Sequence, residues 1–127
     1  MARENTISAD FKVSAGDSAD SISASFPSTA FTSGDSSLIN GTVGNVSAQE
    51  WTVSTFLGAG ITASGIFFEN RDSAIAITLK LEISSAVVAT LTIPAGGVYV
   101  SRHSDAIDLI SVQAASSTAD YTLAFGE

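Results

Sequence analysis

Residues 74–83 read AIAITLKLEI, with Ile75, Ile77, Leu79, Leu81 and Ile83 at every second position and Ala76, Thr78, Lys80 and Glu82 between them. A strand sends successive side chains to opposite faces, so this spacing predicts one dry face and one wet one. Helical geometry would scatter the same isoleucines around a cylinder. The five alternating residues are therefore expected to be buried, and Lys80 and Glu82 exposed. The period of two recurs at Ile7, Ala9, Phe11 and Val13, at Ile22, Ala24 and Phe26, and at Trp51 and Val53. It returns at Val98 and Val100 and at Tyr121, Leu123 and Phe125. The turn-forming clusters SAGDSAD, TSGDSS, NGTVGN, GAG, ENRDS and ASSTAD separate these runs. Short strands between turns, without an amphipathic helical stretch, predict an all-β chain: a single small β-sandwich or jelly-roll-like domain, or a small barrel. Residues 49–127 are expected to form its core. Residues 1–48 are more loosely patterned, and we expect N-terminal strands or an extended arm that orders on contact.

The totals restrict the function. A chain of 127 residues suffices for one compact domain. Charged residues are only 14 % of it, and serine and threonine fill the polar positions. Thirteen acids against five bases give a formal charge of −8, so no basic stripe is available for nucleic acid or anionic lipid. The chain has no cysteine, which removes disulfides and thiolate metal sites. MARENTISADFKV has no continuous apolar core, and no signal peptide is expected there. The longest apolar stretch, Ala86 to Val100, is broken by proline and glycine and is too short for a helical span. Neither a membrane nor nucleic acid is an expected partner.

The sharpest punctuation is LTIPAGGVYV, residues 91–100. Proline suits the second position of a type I turn, Ala95 follows, and Gly96 can take the positive φ that closes a bulged hairpin. Pro94, Gly96 and Gly97 are thus expected to form a structural turn, a hairpin corner. A phosphate loop would need a helix after its glycines, and VYVSR continues as strand.

Candidate sites divide into weak chemistry and plausible surface. GAGITA (58–63) has the G-x-G-x-x-A spacing, but SGIFFEN after it has strand character, so a loop between two strands is expected and no cofactor. Ser101, His103 and Asp105 carry triad residue types. On one extended strand they stand roughly 6–7 Å apart, beyond hydrogen-bond reach, so no catalytic role is expected. Asn40 and Asn45 match the glycosylation sequon without an export signal. Asp17, Asp20 and Asp35 lie in acidic loops without calcium-loop spacing. Trp51, near Phe56, is expected in the core, with a surface sugar platform involving Tyr99 as the alternative. Phe67 and Phe68 are adjacent, so a strand sends them to opposite faces, and one must meet a second surface. Together with Val88, on a partly apolar alternate face, they are the candidate interface residues of an oligomer.

The second half of the chain resembles small virion proteins of tailed bacteriophages, head-decoration or cement proteins and fibre components. The resemblance covers residues 49–127. It rests on an F-x-N-x-D corner (Phe68, Asn70, Asp72), a second corner after an alternating strand (Leu91, Pro94, Gly96), and a final pair of short strands ending on Glu127. It implies a non-enzymatic structural protein made in the host cytoplasm and carried in the virion, without a cofactor. Its implied partners are the major capsid protein or other virion proteins, with a homo-oligomer, a trimer favoured, bridging capsid subunits. A tail-fibre or baseplate component and a carbohydrate-binding sandwich are the alternatives.

Overall fold

The computed structural model describes residues 5–13, 22–31 and 36–127, with side chains over 38–102 and 106–127. The described residues form ten strands and one short helix. The strands are β1 (Asn5–Val13), β2 (Ile22–Phe31), β3 (Ser36–Gly44), β4 (Gln49–Thr52), β5 (Ala63–Asn70), β6 (Ile77–Ile83), β7 (Ala86–Ile93), β8 (Val98–Ile107), β9 (Leu109–Ala114) and β10 (Thr118–Gly126). The helix α1 covers Val53–Leu57. The chain is all-β, as the alternation predicts. No described helix is long and apolar enough to cross a membrane.

Eight of the strands build two four-stranded antiparallel sheets, ordered β3-β10-β5-β8 and β4-β9-β6-β7. The pairing is nested: β6 with β7, β5 with β8, β4 with β9, β3 with β10. Successive pairs fall in alternate sheets, as if one long hairpin were wound around a common core. That winding also sets β10 beside β5 and β9 beside β6. Eight strands so wound form a jelly roll. β1 and β2 make a separate two-stranded sheet. Its register slips between Ile7 and Ala9, where β2 inserts an extra residue beside Pro27, the usual place for a residue without an amide hydrogen.

The core lies between the sheets and is set by the period of two. β6 buries Ile77, Leu79 and Leu81 completely, and β10 buries Ala119, Tyr121, Leu123 and Phe125. Tyr121 stacks on Phe68 at 6.0 Å between ring centroids and meets Trp51 edge-on at 5.6 Å. Trp51 is thus a core residue, as expected, and a surface sugar platform cannot include it.

Several boundaries differ from the sequence reading. Ile75 precedes β6, and both it and Ile83 are only half-buried against the core. Lys80 is exposed, whereas Glu82 is half-buried. The Trp51–Val53 alternation ends at Thr52, where the chain turns into α1. Residues 53 and 57 are one helical turn apart, so Val53 and Leu57 both reach the core. GAGITA therefore links a helix to a strand, with Gly58 ending α1 at φ +126°. The division at residue 48 also moves. β3 pairs along its whole length with β10 and places Val43 in the core, so the sandwich starts at Ser36.

Candidate interaction surfaces

The two sequence corners meet in space at one end of the sandwich. Asn70, the last residue of β5, is fully buried. Its side-chain Nδ2 donates to the carbonyls of Ile75 at 2.8 Å, Ile93 at 3.0 Å and Pro94 at 3.1 Å, and its Oδ1 accepts from the Asp72 amide at 3.1 Å. Its backbone joins the other corner as well. The Asn70 amide donates to Gly97 O at 2.9 Å, and Asn70 O accepts from the Gly96 amide at 3.0 Å. Asp72 closes the next turn by accepting from the amides of Ala74 and Ile75, both at 2.8 Å. Those two amides, in that order, hold its carboxyl below the usual range for aspartate. The N-x-D spacing is thus a structural lock, satisfying buried and part-buried carbonyls where both connections cross between sheets.

LTIPAGGVYV is not a hairpin. β7 pairs with β6 and β8 with β5, so residues 94–97 carry the chain from one sheet to the other. The turn is also shifted by one residue. Gly97 donates to Pro94 O at 2.8 Å, which puts Ala95 and Gly96 at its centre. Gly96 takes φ +73°, the type II position rather than the closing position of a bulged type I turn. A Cβ on Gly97 would lie 2.8 Å from Pro94 O, so both glycines are required, one for its φ and one for close approach.

The candidate interface residues separate. Phe68 is completely buried and takes no part in any surface, correcting its place among them. Phe67 points the other way, half-buried on the outer face of its sheet. Val88 is 50 % exposed as the extra residue of a bulge in β7, opposite the step from Leu81 to Glu82. β7 is a sheet edge without a charged residue, and the bulge interrupts its ladder, a device that discourages strand addition.

The register defines the two outer faces. On the β3-β10-β5-β8 sheet, one row runs Leu38, Ala124, Phe67, Val100. Leu38 is 68 % exposed, and Val98, in the adjacent row, is 55 % exposed. On the other sheet the central row is Glu50, Ser111, Lys80, Thr90. A shallow depression of about 420 Å³ there is lined by Glu50, Lys80, Glu82 and Gln113 among others.

The remaining candidates gather no site. Ser101, His103 and Asp105 occupy alternate positions of the single strand β8, the side chains of the latter two lying outside those described. Asn40 Oδ1 accepts from Thr122 Oγ1 at 2.6 Å, and Asn45 O from Gln113 Nε2 at 2.9 Å. Asp17, Asp20 and Asp35 lie outside the described residues, among which no acidic or histidine group is clustered for a metal. What the sequence reading missed is the apolar row. Its members lie on four strands, and only the register brings them together. Comparison with protein-family models, with curated proteins and with solved structures gives no match.

Proposed function

We propose that the chain is a structural virion protein of a tailed bacteriophage, a capsid decoration or cement protein that stabilises the head by bridging capsid subunits. The observation that carries this reading is the β1–β2 ribbon, whose strand ladder joins neither sheet of the sandwich, although β1 lies beside β8. A two-stranded ribbon is marginal in water unless another surface covers it. Alternating Ile7, Ala9, Phe11 and Val13 suit it to such a surface, and a capsid subunit is the surface we assign. The jelly roll is compatible with this, being common among viral capsid and lectin domains, though a fold alone does not assign a role. The function needs buried interface and no catalytic residue. Immunogold electron microscopy of purified phage particles with an antibody against the chain tests the reading. Regular labelling of heads is expected. Labelling confined to tails, or none on any particle, overturns it.

A further inference from the structure

The outer face of the β3-β10-β5-β8 sheet has a pattern that fits itself. Its rows, read across the four strands, are Ser36-Gly126-Gly65-Arg102, then Leu38-Ala124-Phe67-Val100, then Asn40-Thr122-Glu69-Val98. Beyond these the Arg71 amide donates to Asp120 O, and Asp120 is paired with Thr42, so Arg71 and Asp120 are neighbours in the fourth row. Leu38 and Val98 are exposed and Ala124, Phe67 and Val100 half-buried, with β1 lying beside β8 at one edge of the face.

We propose that this face binds a second copy of the chain, face to face, about a two-fold axis parallel to the strands and lying between β10 and β5. That axis exchanges β10 with β5 and β3 with β8 and leaves each row opposite itself. Phe67 of one copy then meets the small Ala124 of the other, twice over, and Leu38 meets Val100. In the fourth row Arg71 of each copy comes opposite Asp120 of its mate, so the charges complement. Glu69 meets the neutral Thr122. An axis along the rows would instead stack Phe67 on Phe67 and Leu38 on Leu38. Isologous contact of this kind needs a patch complementary to itself, and size and charge both provide it.

The area places the contact in the weak, transient class. Four strands about 4.8 Å apart and about nine residues long cover roughly 600 Å² per copy, below the roughly 800 Å² of a standard interface. The association is therefore reversible, with a dissociation constant in the micromolar range or weaker. It does not depend on the capsid assignment.

Sedimentation equilibrium of the full chain, from about 10 to about 500 µM, should show the mean mass rising from monomer toward dimer. Ala124→Arg, which fills the pocket opposite Phe67, should weaken association at least tenfold with an unchanged melting temperature, whereas Thr78→Arg on the other outer face should not. A second measurement uses the absence of native cysteine. Leu38 and Val100 are three strand spacings apart in one chain, about 14 Å, but oppose each other between copies. A Leu38→Cys, Val100→Cys double variant treated with a thiol cross-linker shorter than that distance should yield covalent dimer, and either single variant little. A monomer throughout the series, a trimer, an Ala124→Arg variant that associates like the parent, or a double variant that links no more than the singles each overturns the proposal.

Discussion

The two sheets share a core but present opposite faces to solvent. One outer face is crossed by Leu38, Ala124, Phe67 and Val100, the other by Glu50, Ser111, Lys80 and Thr90. Inside the sandwich the two are alike: Phe68 and Ile66 on one side, Leu79 and Leu81 on the other, all fully buried. Burial within the chain thus explains the inner rows of both sheets and leaves one outer row unexplained. An apolar row on a finished domain marks a surface that something else covers.

The largest expected effect tests whether inside and outside are as distinct as the register says. Phe68→Ala should cost about 3–5 kcal/mol in denaturant unfolding, and Phe67→Ala, one residue away, under about 1 kcal/mol for the dilute monomer. Comparable losses would mean that Phe67 belongs to the core and that the outer row is no surface. Asn70→Ala should cost about 2–3 kcal/mol, because it takes a donor from the buried Ile93 carbonyl and from the part-buried Ile75 carbonyl of the other crossing. An unchanged midpoint would show that Asn70 does not lock the two corners together. Gly96→Val should cost about 1–3 kcal/mol from its positive φ.

Much of the inner arrangement was legible and little of the outer. A period of two reveals which residues of one strand share a face, so the burial of Ile77, Leu79 and Leu81 followed from residues 74–83 alone. It does not reveal which strand comes alongside, and so the row through Phe67 was invisible although Phe67 itself stood out. The same limit explains the corner at Pro94. Proline and two glycines announce a sharp turn whether the next strand pairs with the last or leaves for another sheet. Asn70 was visible as part of a corner, but its partners at Ile93 and Pro94 lie more than twenty residues on. The tight turn at Ser84–Ser85 was missed because serine stands where Asn-Gly would give the signal. Both serines take positive φ, at 50° and 67°, and the Asp108 carboxylate accepts from the Ser84 amide at 2.8 Å.

Smaller effects sharpen the contrast further. Ser84→Asn with Ser85→Gly should raise stability by about 0.5–1 kcal/mol, since the turn already has the backbone those residues prefer. Asp72 carries a depressed pKa, so its contribution is fully present above the ordinary value of about 3.9 and fades as pH falls below it. In an acid titration Asp72→Asn should therefore show a smaller loss of stability than the parent below that point. Lys80→Leu, which dries the centre of the wet face, should change stability by no more than about 0.5 kcal/mol. If it also leaves sedimentation unchanged, a single apolar residue is not enough to make a face adhesive, and the four-residue row matters as a unit.

The nested order of strand pairs has a consequence for the chain as it leaves the ribosome. The innermost pair, β6 and β7, is local and can zip as soon as both are synthesised. β10 is the last described strand to emerge, yet it fills the middle of its sheet, between β3 and β5. Until it arrives, those two strands have no partner in common, and their facing edges are open to any other nascent chain. Non-local closure of this sort is slow. Vectorial synthesis therefore leaves this sandwich most vulnerable just before β10 is made, and a ribosome stalled ahead of Thr118 would release a product prone to aggregate rather than a smaller folded one.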